Sequence, residues 1–89
     1  MAKKGFSKKN IQNVKGGPGV YKFFNPQGSL TYVGKAKNLP ERLLQHKNEG
    51  DVPNVNQFEV KHTKTTKEAE RIEENIIQRS KPIHNIKKE

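Results

Sequence analysis

One glutamate stands where the helical pattern surrounds it with hydrophobic side chains. The residues from Thr65 to Glu68 form a capping box, which predicts a helix that extends to about Ser80. With about 100° of rotation per residue, Glu73 falls within the apolar stripe of this helix, close in angle to Ala69. An unpaired buried carboxylate is costly, so Glu73 should meet a cation, a cluster of donors or a metal ion. In the plainer alternative, Glu73 extends past Ala69 to solvent or pairs with a Lys or Arg from a neighbouring element.

The two tyrosines of the chain lie on a predicted β-hairpin. Aromatic and β-branched residues favour strands over 20–24 and 29–33, and the intervening Asn-Pro-Gln-Gly sequence suits a type I turn. A symmetric four-residue loop would place Tyr21 directly opposite Tyr32, whereas a bulge at Gly28 would shift this register by one. Each tyrosine taken alone would more often be a half-buried sheet residue.

A basic pair borders the apolar face of the next predicted element. This helix spans about 39–49, because Asn38 or a neighbouring residue can cap it and Pro40 suits its first turn. On a helical projection, Arg42 and His46 lie beside the leucines of the apolar face. We therefore expect both side chains to point along one edge of the helix.

A third short strand completes the predicted elements. Residues 58–62 alternate between apolar and polar types, and the Gly-rich segment 16–19 is a strong turn signal ahead of the first strand. The elements follow the order β-β-α-β-α. This order predicts a small α/β (α+β) domain over residues 16–89.

The charge of the chain points to a polyanionic partner. The 18 Lys and Arg residues exceed the 9 Asp and Glu residues, which gives a net charge of +9. Residues 1–15 contain five Lys and no acid, hence +5, while residues 16–89 contain 13 basic and 9 acidic residues, hence +4. We expect residues 1–15 to form a flexible basic tail, either simply solvated or gripping phosphates without sequence preference.

Composition also excludes several classes of site. The chain has no cysteine, which removes disulfides, thiolate zinc sites and cysteine nucleophiles, and its three histidines lack metal-ligand spacing. No apolar run is long enough for a transmembrane helix, and the first ten residues lack the apolar core of a signal peptide. The expected location is the cytoplasm, with no membrane partner.

Several short motifs occur in a fixed order along the chain: Gly19-Val20-Tyr21, Tyr32-Val33-Gly34-Lys35-Ala36-Lys37-Asn38-Leu39, Arg42, Glu73 with Asn75, and Pro82 with Asn85. This set resembles the GIY-YIG nuclease family, and most of all its UvrC-like members, over residues 17–87. The resemblance implies a three-stranded, mainly antiparallel sheet flanked by helices. It also implies hydrolysis of DNA phosphodiester bonds with one divalent ion, Mg²⁺ or Mn²⁺. In a UvrC-like protein, the partners would be DNA and the other excision-repair subunits.

The resemblance assigns roles to individual residues. Tyr21 and Tyr32 match the two signature tyrosines of the family, Arg42 matches the family arginine, and Glu73 matches the metal-ligating glutamate. Phosphodiester cleavage needs cations aimed at the phosphate oxygens and a base for the attacking water. A phenol titrates near pH 10, so Tyr32 or Tyr21 could act as that base only if nearby positive charge, for example from Lys35, stabilises the phenolate.

Further site residues follow from the UvrC-like members in particular. Lys35 and Asn85 match a lysine and an asparagine that line the site there. His46 departs from the pattern, since UvrC-like domains often have a tyrosine at this position, and histidine could make the same hydrogen bond. The residues expected to contact DNA are Lys35, Lys37, Arg42 and Lys47. The competing hypothesis is a nucleic-acid-binding module that keeps the scaffold without turnover.

Overall fold

A computed structural model describes residues 3–80 of the chain. Within this range the elements are β1 (Lys4–Gly5), α1 (Lys8–Gln12), β2 (Gly19–Phe24), β3 (Leu30–Ala36), α2 (Leu39–Glu49), β4 (Gln57–His62) and α3 (Thr66–Ser80). The sheet has the order β1-β4-β2-β3, and each neighbouring pair is antiparallel. The predicted α+β class is therefore confirmed, but the sheet has four strands instead of three. The added β1 pairs only Lys4 and Gly5 with β4, and two residues are too few to show an alternating pattern.

The N-terminal segment differs from the expected solvated arm over residues 3–15. The side chain of Ile11 is buried in the core, and the Phe6 ring lies 5.0 Å from the Phe23 ring, centroid to centroid. Ser7 caps α1 by accepting a hydrogen bond from the Asn10 amide at 3.3 Å. The burial of Ile11 and the partial burial of Phe6 outweigh the mutual repulsion of the surrounding lysines, which are free to point outward. The boundary between residues 15 and 16 stays a prediction.

The hairpin register also differs from the expected one. Tyr21 pairs with Gly34, and Tyr32 pairs with Phe23, so the predicted direct pairing of the two tyrosines is wrong. One residue of the shift comes from the loop, where Gly28 adopts a φ of 87° and the Asn25 amide bonds to the Ser29 carbonyl. The other residue comes from an irregularity between Phe23 and Phe24. Because a shift of two keeps every side chain on its face, both tyrosines still share one side of the sheet.

The two long helices begin where local signals predict. In α2, Pro40 occupies the first turn, and the Gly50 amide closes the helix by bonding to the His46 carbonyl at 2.9 Å. Ahead of α3, the Thr65 hydroxyl accepts from the Glu68 amide at 3.1 Å, and the Glu68 carboxylate accepts from the Lys64 amide at 3.0 Å. The predicted spans of 39–49 and 66 to about 80 are confirmed.

The sheet separates two hydrophobic clusters. On one face, α1 and α2 pack over the buried residues Ile11, Tyr21, Phe23, Ala36, Leu39, Leu43 and Phe58. On the other face, α3 packs over the buried residues Val20, Val33 and Ala69. The tyrosines and Glu73 therefore belong to opposite faces, and a joint site must assemble around the edge strand β3. None of the helices within residues 3–80 has the length and apolar character needed to cross a membrane.

Candidate active site

A chain of three polar side chains runs from the sheet through α2 to the following loop. The Tyr21 hydroxyl lies 2.6 Å from Nε2 of His46, and Nδ1 of His46 lies 2.8 Å from Oδ1 of Asp51. Tyr21 is 1% exposed and His46 is 4% exposed, so water has little access to the bond between them. A buried polar group is costly unless it is hydrogen-bonded, and this chain satisfies both ring nitrogens.

The glycine opposite Tyr21 makes room for the phenol. Gly34 is the direct cross-strand partner of Tyr21, and a Cβ built on Gly34 would overlap with Cζ and Oη of that ring. Any larger residue at position 34 would displace the ring from its place beside His46. The glycine of the Tyr-Val-Gly motif is therefore explained by close packing, which the sequence pattern did not reveal.

The surroundings of Tyr21 oppose its ionisation. Burial raises the pKa of the Tyr21 phenol, as does the neighbouring Tyr32, while hydrogen bonding with Arg42 acts in the opposite direction. The same interaction with Tyr21 raises the pKa of Arg42, which keeps the guanidinium charged. The rings of Tyr21 and Tyr32 are stacked, with centroids 6.1 Å apart. The two phenols and the guanidinium thus lie close enough to influence one another's ionisation.

Glu73 meets a cation on the other face of the sheet. Its carboxylate lies 3.6 Å from Nζ of Lys35, and the Glu73 side chain is 13% exposed while that of Lys35 is 43% exposed. Glu73 is therefore shielded from open solvent, and it pairs with a lysine of a neighbouring element, as one of the sequence alternatives anticipated. A separation of 3.6 Å is longer than a hydrogen bond, so the carboxylate keeps capacity for another partner.

A surface depression of about 470 Å³ connects Lys35 to Arg42. Its lining residues are Lys35, Ala36, Lys37, Asn38, Glu41, Arg42 and Gln45. Arg42 is held at the rim by donating a hydrogen bond to the Gln45 side chain at 2.9 Å. Three cations against one carboxylate make this depression suited to a phosphate backbone.

One of the predicted DNA contacts, Lys47, does not line this depression. Nζ of Lys47 donates to the Phe6 carbonyl at 3.0 Å and lies 5.1 Å from the centre of the Phe6 ring, so it holds the N-terminal segment. Its contact with DNA stays a prediction. Asn85 lies outside the described residues. Conversely, Asp51 lies just beyond the predicted end of the helix at residue 49, and no sequence signal marks it as a partner of His46.

Comparisons with known proteins identify the family of this chain. The model of the UvrC-like GIY-YIG domain matches residues 17–86. The chain belongs to the UvrC-like GIY-YIG family. This membership confirms the resemblance drawn from the motifs.

Relatives of this GIY-YIG domain include longer proteins. The UvrABC system protein C of Methylococcus capsulatus is 39% identical over 84 residues, which cover 85% of this chain and 14% of that protein. The protein of the same name from Neisseria meningitidis is 37% identical over 86 residues, which cover 88% of this chain and 14% of that protein. The chain thus spans about a seventh of the length of these relatives.

A solved structure shares the fold of this GIY-YIG domain. It is the N-terminal endonuclease domain of UvrC from Thermotoga maritima bound to magnesium, its catalytic divalent cation. The identity is 31%, the TM-score is 0.76, and the match covers 88% of this chain and 93% of that chain.

Two carboxylates lie at this edge of the GIY-YIG domain, namely Glu73 beside Lys35 and Glu41 in the lining of the depression. Across residues 3–80, no three His, Asp or Glu side chains come together to form a metal-binding group. A single carboxylate still fits Mg²⁺, which usually keeps several waters and binds through one or two carboxylates plus a substrate phosphate. Glu73 fits that role because it is partly shielded and only loosely paired with Lys35.

Proposed function

We propose that this GIY-YIG domain is a divalent-metal-dependent DNA endonuclease that hydrolyses phosphodiester bonds in excision repair. The observation that carries the proposal is the cationic depression that connects Arg42, beside the paired tyrosines, with Lys35, beside Glu73. The family membership and the magnesium-bound relative support it. A binding module without turnover would not need a loosely paired carboxylate at such a depression.

Each side chain has a role that follows from its chemistry. Arg42 would bind the phosphate through its planar, permanently charged guanidinium, and Lys35 would add a second positive charge. Glu73 would hold the Mg²⁺ or Mn²⁺ ion. When bound, that ion would supply Lewis-acid stabilisation of the charge that develops on the phosphate.

We assign the contact with the attacking water to Tyr32. Its side chain is half-buried, whereas Tyr21 is almost completely buried and its raised pKa makes it a poor base. Tyr21 would instead hold Arg42 in place. The test is a pair of single substitutions: Tyr32→Phe should lower kcat at every pH, and Tyr21→Phe should mainly raise KM.

The substrate and partners are proposed by analogy with the longer relatives. DNA suits the positive charge, and the other excision-repair subunits suit a domain that matches part of a UvrABC protein. A cytoplasmic location stays a prediction. Cleavage of plain, nicked, flap and lesion-bearing oligonucleotides under identical metal and salt would identify the preferred DNA structure.

The decisive experiment compares two neighbouring glutamates of α3. We expect the purified chain to nick supercoiled plasmid with Mg²⁺ or Mn²⁺, and Glu73→Gln to abolish nicking. The thermal midpoint should fall by no more than about 4–8 °C, because an ion pair with a partly exposed lysine contributes at most about 1 kcal/mol. Glu74→Gln is the matched control, since Glu74 is exposed on the same helix and should leave nicking unchanged.

The outcomes separate the two hypotheses. Equal nicking by wild type and Glu73→Gln would show that the activity belongs to another site. Salt-sensitive DNA binding without nicking in any metal would instead identify the domain as a binding module.

A further inference from the structure

Asp51 is an exposed acid whose carboxylate points at a buried histidine. It follows the C-terminal glycine of α2, and its side chain is 47% exposed while that of His46 is 3% exposed. The two side chains approach to 2.8 Å between Oδ1 and Nδ1. A carboxylate can only accept a hydrogen bond, so Nδ1 of His46 must carry a proton.

This proton determines what the other ring nitrogen can do. In a neutral imidazole with its proton on Nδ1, Nε2 has only a lone pair and must accept a hydrogen bond. Its neighbour at 2.6 Å is the Tyr21 hydroxyl, which therefore donates its proton to His46. Since both groups are buried, water offers little alternative for either one.

The orientation of the Tyr21 hydroxyl in turn affects Arg42. With its proton directed at His46, the Tyr21 oxygen presents its lone pairs to its other neighbours. Arg42 is a donor-only group, and it lies close enough to this phenol for their interaction to raise the pKa of Arg42. If His46 donated to the phenol oxygen instead, the hydroxyl proton would have to point elsewhere. It would then compete with the guanidinium for the space beside the oxygen. The remaining titratable neighbour of Tyr21 is Tyr32, whose ring is stacked on it.

We propose that Asp51 is a positioning residue of this nuclease site, which fixes the tautomer of His46 and through it the orientation of the Tyr21 hydroxyl beside Arg42. One part of this inference rests on the proposed function, namely that Arg42 binds the scissile phosphate. The tautomer itself is a property of the protein without DNA, so it can be tested separately.

The first experiment measures that tautomer by ¹⁵N NMR of the free protein, at a pH where all three histidines are neutral. We expect the wild type to carry the His46 proton on Nδ1. In Asp51→Asn the side-chain amide can donate to Nδ1, so the proton should move to Nε2. A wild-type proton on Nε2 would overturn the proposal, as would an unchanged tautomer in Asp51→Ala, which offers no acceptor to Nδ1.

The second experiment measures cleavage, with Glu74→Gln as control. Glu74 is an exposed acid of α3, on the other side of the sheet from His46, so this variant removes the same charge. We expect Asp51→Asn to lower kcat/KM by roughly 100-fold or more, by comparison with the loss when the acid that orients a catalytic histidine becomes an amide. Asp51→Glu should restore part of the rate, and Glu74→Gln should cleave like the wild type.

The failures of the two proposals are distinguishable. If neither wild type nor variants cleave DNA, the proposed function fails, and the NMR result alone decides the role of Asp51. If the tautomer inverts in Asp51→Asn while kcat/KM stays at the wild-type value, Asp51 does not position the site. If Asp51→Asn does not fold, Asp51→Glu replaces it in both experiments. That variant must fold and keep the His46 proton on Nδ1, and a proton on Nε2 would overturn the proposal.

Discussion

Replacing Gly34 with alanine tests how the sheet supports Tyr21. The new methyl group would overlap with the phenol ring of Tyr21. The ring has little room to withdraw, because its centroid lies 5.1 Å from that of Phe23, 6.1 Å from that of Tyr32 and 5.4 Å from that of His46. We therefore expect strain instead of a simple side-chain adjustment.

Two terms of opposite sign give the size of the effect. Overpacking a well-filled core costs about 1–3 kcal/mol. Alanine also restricts the unfolded chain, which stabilises the folded state by about 0.4–1 kcal/mol. The free energy of unfolding should fall by about 1–2 kcal/mol in Gly34→Ala. For a domain of this size, that corresponds to a fall in Tm of roughly 4–16 °C.

The assay is urea and thermal unfolding followed by circular dichroism, with Gly5→Ala as the matched strand glycine. A Cβ on Gly5 would meet its nearest neighbour, Nδ2 of Asn10, at 3.5 Å, which is an ordinary contact. We expect Gly5→Ala to be at least as stable as the wild type. If Gly34→Ala proved equally stable, the ring of Tyr21 would not lie over Gly34, and the packing argument would be refuted. DNA cleavage by Gly34→Ala should also fall, since Tyr21 would be displaced.

Three further predictions concern charge, ionisation and the N-terminal segment. Lys35→Gln should weaken DNA binding and reduce the slope of log affinity against log salt by about 0.9. Lys67 is an exposed lysine of α3, and Lys67→Gln should leave the slope unchanged. If Lys35→Gln had the same slope as the wild type, Lys35 would be excluded from the DNA contact. In Tyr32→Phe, Tyr21 is the only tyrosine left and the chain has no tryptophan, so ultraviolet absorbance should show its phenolate forming only above the usual tyrosine range. Because folding raises the pKa of Tyr21, the protonated phenol contributes stability that is fully present below pH 10 and is lost as pH rises towards the folded pKa. A normal titration of Tyr21 near pH 10 would contradict the burial of its phenol. Ile11→Ala should lower the free energy of unfolding by about 2–5 kcal/mol in urea titrations, and an unchanged value would show that the N-terminal segment is the solvated arm first expected.

The helices were predictable because their ends depend on nearby residues. The capping box from Thr65 to Glu68 and the proline in the first turn of α2 are signals that act over three or four residues. Their hydrogen bonds form within one turn, so the sequence pattern contains the information needed. The placement of Arg42 and His46 beside one another follows from the same helical period.

The strand register could not be predicted in the same way. Its two one-residue shifts lie at the Gly28 loop and between Phe23 and Phe24, and the second has no sequence signature. The shared face of Tyr21 and Tyr32 survived only because two shifts restore the alternation of period two. A single bulge would have moved the tyrosines to opposite faces.

By itself, the sequence determined the class of fold, the two long helices and an inward-facing Glu73, since each depends on periodicity or on capping over short distances. The tertiary structure decided which residues meet: Lys35 with Glu73, Gly34 with Tyr21, and Asp51 with His46. Each of these pairs except the last joins different elements, and even Asp51 reaches His46 only because the chain turns back after α2. Contacts of this kind are selected by the packing of the whole domain, where a buried polar atom must find a partner and a buried ring must find space.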